Sequence, residues 1–232
     1  MPPCHRPHVT LRAAAIRLEF SDATAYAAAA YLTQYTAAAA AAGPTSSDEQ
    51  GRVGACLFVA SKVCEQPRRA RDVVNAVHRA VHGGLLRSSH EYWAKKESLL
   101  SHEQGLLRGL GFDLTVAHPH PFFYHYCHAL DAPPQLAALA AAILNDSACS
   151  AECGDTPAGV VAAAALALAA ALLHPSLAPR SLPERWWDAL GVSDARLAET
   201  CAHLGRVYGA AGQQAAGRPA EEGAATAAGV GR

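Results

Sequence analysis

Glu103 stands inside a stripe of leucines, and that placement restricts what this chain can fold into. Leu99, Leu106 and Leu110 recur at about 3.5-residue spacing, so they share one helical face. A carboxylate on such a face is costly unless a partner meets it. Upstream, Val53, Cys56, Leu57 and Ala60 fall at i, i+3, i+4 and i+7, the pattern of an amphipathic helix. Phe58, Lys62 and Glu65 share another flank of that segment, and Pro67 closes it. Lys62 is the best-placed cation to pair with Glu103, which would turn its flank outward as a docking surface.

The rest of the chain reads as helix throughout. Alanine is greatly over-represented, which raises helix propensity almost everywhere. Alternation of β-branched residues is nearly absent, so the expected class is all-α. The 232 residues suffice for one large domain or two of about 100 residues. Leu11 to Leu18 predicts a truncated first helix after a fraying N-terminus. Asp22 is a candidate cap for a second helix to about Ala41, with Tyr26, Ala29 or Ala30, and Thr33 on one side. Asp48 begins a third helix, a fourth runs from about Arg69 to His82 before Gly83-Gly84, and a fifth spans about His90 to Leu110.

After Thr115-Val116-Ala117-His118-Pro119 a second set follows. Phe122, Phe123, Tyr126 and Leu130 form its first buried side. Further helices are expected at about Pro134–Cys149, Pro157–His174, Glu184–Leu190 and Ser193–Ala210. Beyond about Gly212 the chain lacks large apolar residues, and disorder is expected.

The run Ala60-Ser61-Lys62-x-x-Glu65 with Pro67, then the short helix Arg71–Arg79, then Glu103-x-x-Leu106-Leu107-x-x-Leu110-Gly111-Phe112-Asp113-Leu114, closely resembles a cyclin box. His118-Pro119-His120 is similar to the transcription-type cyclins of groups L, K, T and Q. Pro183-Glu184-Arg185-Trp186-Trp187 looks most like cyclin Q. The resemblance covers about residues 11 to 209 and is strongest between 53 and 120.

It implies tandem five-helix cyclin boxes at 11–114 and 115–211, the second more divergent, between a flexible 1–10 and a disordered 212–232. It further implies a non-catalytic regulatory subunit that binds and allosterically activates a cyclin-dependent kinase, the tenth such kinase or a relative, in the nucleus and possibly also the cytoplasm. The matching positions place kinase binding on Lys62, Glu103, Phe58 and Glu65; Leu99 and Leu107 either line the same contact or belong to ordinary core packing. Cys64 departs from the pattern, since many cyclins carry a second acidic residue there. The first helix lacks the Met-Arg-Ala-Ile-Leu segment, so recruitment of Arg-x-Leu substrates is not expected. The alternative is a cyclin-fold adaptor, similar to transcription factor IIB or retinoblastoma-type modules, that binds protein or DNA without activating a kinase.

Other chemistries have weaker support. The glycines from Gly105 to Gly111 lack the lysine and hydroxyl that follow a phosphate loop. His118, His120, His125, Cys127 and His128 lack the paired spacing of a zinc site, as do Cys149 and Cys153, so no metal or other cofactor is expected. Nothing orients a base beside Cys64, His78 or His102 for thiol catalysis. A net charge of −1 argues against a general nucleic-acid or membrane-surface binder. The apolar run Ala158–Leu173 is shorter than the roughly 20 residues of a membrane span and reads as a buried core helix. Seven cysteines without disulfide-like spacing favour a reducing compartment.

Overall fold

The computed structural model describes residues 5–42, 48–86, 88–154, 156–173 and 182–215. Among them every regular element is helical: α1 His5–Arg17, α2 Asp22–Ala42, α3 Glu49–Val63, α4 Ala70–His82, α5 Ser89–Gly109, α6 His120–Ala129, α7 Pro134–Ser147, α8 Ala151–Gly154, α9 Ala158–Leu172, a 3₁₀ turn Asp188–Leu190, and α10 Asp194–Ala215. No described helix is long and apolar enough to cross a membrane.

Helix α3 is the hub of the first group and packs against α1, α2, α4 and α5. Its start follows from Asp48, whose Oδ1 accepts the Gly51 amide at 3.0 Å. The expected amphipathic pattern is only half of what α3 does. Ala55, Val59 and Ser61 are buried as well as Val53, Cys56, Leu57 and Ala60, because neighbours enclose the helix on nearly every side. Its open edge carries Phe58 and Lys62. Around it, α4 buries Val73, Val74, Ala76 and Val77 and ends where Gly83 takes a left-handed φ of 72°. Ser88 caps α5, its hydroxyl accepting the Glu91 amide at 3.5 Å.

Two boundaries in the first group differ from the sequence reading. Helix α1 starts at His5 rather than Leu11, since a proline in the first turn costs no helical hydrogen bond and Pro7 is buried there. Ser21, not Asp22, caps α2: its hydroxyl accepts the Thr24 amide at 3.3 Å.

The second group centres on α9, which packs against α6, α7 and α10. Its core is made mostly of small residues, Ala162 to Ala165 with Val160, Val161 and Leu166, closed by Phe123, Leu144 and Trp186. Phe122 points outward at 46% exposure, against expectation, while Phe123 one position on is buried. No α-helix forms over Glu184–Leu190. Arg185 adopts a left-handed φ of 54°, which breaks the helical run, so the segment is a turn followed by one 3₁₀ turn. Trp186 fills the core, and Trp187 Nε1 donates to Asp194 Oδ1 at 2.6 Å. Helix α10 continues to Ala215, past Gly212 where disorder is expected, and the residues from 216 onward lie outside those described.

The two groups are tied by α2. Tyr26 bonds Ser147 across their boundary at 3.3 Å, and its ring meets His118 and His120 at 5.7 and 5.2 Å. His120 is held in turn by Asn145 at 2.8 Å, and the Thr33 hydroxyl donates to the Ala148 carbonyl at 2.8 Å. His118, His120 and Tyr26 thus serve as a packed joint; among the described residues no histidine–cysteine cluster has the arrangement of a metal site.

Candidate functional site

The site sits where the C-terminal half of α3 crosses α5. Lys62 Nζ donates to Glu103 Oε1 at 2.6 Å and lies 3.9 Å from the centre of the Phe58 ring. Glu103 sits low on the surface, its side chain 16% exposed, whereas Lys62 is 49% exposed. The ion pair therefore resolves the carboxylate on the leucine stripe. Its contribution to folding is small, about 0–1 kcal/mol for a pair this open to water. What it does is hold a lysine, a carboxylate and an aromatic ring in one fixed outward arrangement. Glu103 Oε2 makes no hydrogen bond among the described residues, which leaves an acceptor for a partner.

The other sequence-nominated residues separate into two kinds. Glu65 lies just past α3 in a left-handed conformation, φ 53°, with its amide bonded to the Lys62 carbonyl at 3.3 Å and its side chain exposed. Leu107 is half-buried beside the core. Leu99 is not on the surface: at 1% exposure it packs under α3, its Cγ and Cδ1 close to the place a side chain would occupy on Gly54. Burial this complete fits the core-packing alternative for Leu99, which sets the spacing between α3 and α5.

Several positioning residues lie outside any local pattern. Asp48 receives the Ser98 hydroxyl on Oδ2 and lies 3.9 Å from His102 Nε2, tying the start of α3 to the middle of α5, one residue from Glu103. Burial pushes the Asp48 carboxyl up, but the Ser98 hydroxyl, the Gly51 amide and the nearby His102 and Lys95 outweigh it and hold it below the ordinary aspartate value. Burial pushes the His102 imidazole down, with Asp48 opposing and Arg52 assisting. Gly51 is needed at the crossing, because a methyl there would overlap Ser98, His102 and Asp48. On the far side Tyr35 of α2 lies across Gly105 and Gly109, and its hydroxyl is 3.4 Å from His102 Nδ1. The two glycines thus admit the ring rather than form a phosphate loop. Gln66 fixes the end of α3, its Oε1 accepting from the Ser21 amide at 3.1 Å and the Thr24 hydroxyl at 3.0 Å. Of these, only the Asp48 cap was visible locally, since the other partners are 42 or more residues apart.

Two helical groups, each wrapped around a central helix and joined by a histidine-bearing linker, make a tandem cyclin fold. The likeness extends to solved structures. A chain of the yeast RNA Pol II CTD kinase CTDK-1 complex superposes with a TM-score of 0.72 at 15% identity, covering 94% of this chain and 71% of that one. A chain of the CAK complex from Chaetomium thermophilum bound to ATP-gamma-S gives 0.59 at 20% identity, covering 86% and 61%. No protein-family model matches the chain.

In sequence, Cyclin-L1-1 of Arabidopsis thaliana is 32% identical over 160 residues, 66% of this chain and 38% of that protein. Cyclin-L2 of Mus musculus is 30% identical over 165 residues, and Cyclin-L1 of Homo sapiens 30% over 162, covering 31% and 30% of those proteins. The chain spans well under half the length of the relatives it matches. It has the cyclin fold and is related in sequence to the L-type cyclins, a transcription-type branch of that family.

Proposed function

We propose that this chain is a non-catalytic cyclin subunit that binds a cyclin-dependent kinase and shifts it towards its active state. The observation that carries this reading is the Lys62–Glu103 pair, 2.6 Å long, its lysine half-exposed and braced by Phe58 on an open edge of α3. A kinase must bring a helix-borne glutamate onto its ATP-orienting lysine. A partner that grips that helix only in its inward position raises the active population by its differential affinity. Lys62, Glu103 and Phe58 offer a cation, an acceptor and a ring for such a grip, with Glu65 and Leu107 at the margin.

The L-type relatives and the likeness to a chain of an RNA polymerase tail-kinase complex favour a transcriptional kinase and a nuclear setting. The Pro183-Glu184-Arg185-Trp186-Trp187 segment, like that of cyclin Q, instead favours the tenth cyclin-dependent kinase. Affinity capture with the wild type beside a Lys62→Ala/Glu103→Ala double variant, followed by kinase assay of each eluate, separates these. Active kinase with the wild type only, identified by mass spectrometry, supports the reading and names the partner. A kinase kept equally by both proteins moves the interface elsewhere. Absence of kinase from a folded preparation leaves the adaptor.

A further inference from the structure

A second charged surface, sharing no residue with the Lys62–Glu103 site, lies where the end of α1 meets α4. It is an open groove of about 690 Å³ lined by three arginines, Arg17, Arg68 and Arg79. Arg17 and Arg79 are exposed, and none of the three forms an ion pair with a described residue. Arg68 is already oriented: its Nε donates to the Leu18 carbonyl at 3.1 Å and its guanidinium carbon lies 5.4 Å from the centre of the Phe20 ring. Nη2 of Arg68 is left without a hydrogen bond among the described residues. Beside the arginines stand two aliphatic side chains bare to an unusual degree, Ile16 at 69% and Leu85 at 65%. The groove also holds two carboxylates, Glu19 and Asp72, likewise unpaired.

We propose that this groove docks a phosphorylated peptide segment of a partner protein. Arg17, Arg68 and Arg79 take its phosphate, while a neighbouring aliphatic side chain seats on Ile16 and Leu85. Guanidinium forks match phosphate oxygens, and unpaired arginine clusters are a recurring means of reading phosphorylated motifs. The two resident carboxylates decide between anions. A single side-chain carboxylate gains little beside them, whereas a phosphate brings a charge of about −1.5 to −2 and three acceptor oxygens, one for each guanidinium. They also disfavour RNA, whose repeated phosphates would have to pass Glu19 and Asp72. The only described aromatic ring at the groove, Phe20, is covered by Arg68, so no platform is left on which bases could stack.

The test uses the full chain and fluorescence polarisation with oriented peptide libraries, central phosphoserine, serine or glutamate, flanked by randomised positions. A ten-nucleotide uridine RNA serves as the rival probe. The phosphoserine library is expected to bind about ten-fold or more tighter than the other two, enriching Leu, Ile, Val or Met near the phosphate. Arg17→Ala/Arg79→Ala should remove about ten-fold of that affinity, and Ile16→Ser/Leu85→Ser should erase the aliphatic preference. Arg68→Lys replaces Arg68→Ala, because Arg68 also holds the Leu18 carbonyl. Equal binding of serine and phosphoserine peptides, affinity indifferent to the arginine variants, or tighter RNA binding overturns the proposal. The arginine variants should keep the wild-type circular dichroism and kinase capture, so failure here and failure at Lys62–Glu103 are told apart.

Discussion

The two central helices solve the same packing problem with opposite materials. Helix α3 puts Val53, Cys56, Leu57 and Val59 into a core of leucines, valines, tyrosines and alanines drawn from four neighbours, and polar ties from Asp48, Ser98, His102 and Gln66 fix its ends. Helix α9 is buried equally well, but its own buried face is largely alanine, packed against larger neighbours such as Phe123, Leu136, Ile143, Leu144, Trp186 and Leu204. Buried apolar area scales with side-chain size, so each residue of α9 contributes less than its counterpart in α3. What α9 gains is close approach of helix to helix, with little slack for enlargement. The chemistry-bearing side chains gather on the α3 side, where bulky packing and polar ties hold them to one geometry. In the second group, the ion pairs of Arg185 with Asp188 at 2.7 Å and with Asp194 at 3.0 Å lie at its surface turn and not on its central helix.

That contrast can be broken most directly by truncation. Leu57→Ala, at a fully buried position, should destabilise by about 2–5 kcal/mol in urea unfolding. A cost below that of small changes in α9 would deny the larger contribution per residue assigned to α3. Enlargement should hurt the other side: Ala163→Val, in a site with no exposure, should cost about 1–3 kcal/mol by overpacking. If the same variant raises the unfolding midpoint, α9 contains space that the comparison says it lacks.

A smaller effect sharpens the account of polar ties. Asp48→Ala removes both the cap of α3 and the bond from Ser98, at about 0.5–2 kcal/mol, and should weaken kinase capture without touching the contact surface.

Acid acts on the Asp48–His102 crossing and on two further histidines elsewhere in the fold. His102, His78 and His118 are each pushed down, chiefly by burial, so the folded state resists their protonation. Their contribution is complete above the ordinary histidine value of about 6.5 and fades as pH falls through the lower folded values. The Asp48 contribution persists until pH drops below about 3.9 and is lost through its depressed folded value. Thermal midpoints measured from pH 8 to 3 should therefore fall in two stages; a midpoint that rises between pH 7 and 5 would contradict the histidine assignment. The smallest structural effect belongs to Lys62→Ala, within about 1 kcal/mol of wild type by unfolding, despite the expected loss of the kinase. A large stability loss there would make the pair a structural brace instead of a contact.

Much of this was legible along the chain. Local chemistry marked the Asp48 cap, the Gly83 stop, the all-helical class and the pairing of Lys62 with Glu103, because capping, helix period and an uncompensated carboxylate are properties of short segments. Resemblance added the tandem cyclin arrangement. The misses also have physical causes. Periodicity ranks faces by polarity, so it chose one side of α3 when four neighbours cover nearly all of it, and it put Phe122 inside when only Phe123 reaches the core. A helical pattern over Glu184–Leu190 gave no warning that Arg185 turns left-handed.

Sequence by itself therefore determined most of the helical segments, though not Glu184–Leu190, and which two charges must meet. Only the tertiary structure decided that Leu99 is spacing and not surface, that Gly51, Gly105 and Gly109 are points of close approach, and that Arg17, Arg68 and Arg79 line one groove. Those outcomes depend on side chains brought together from distant segments, and helix crossing, not local spacing, sets which of them meet.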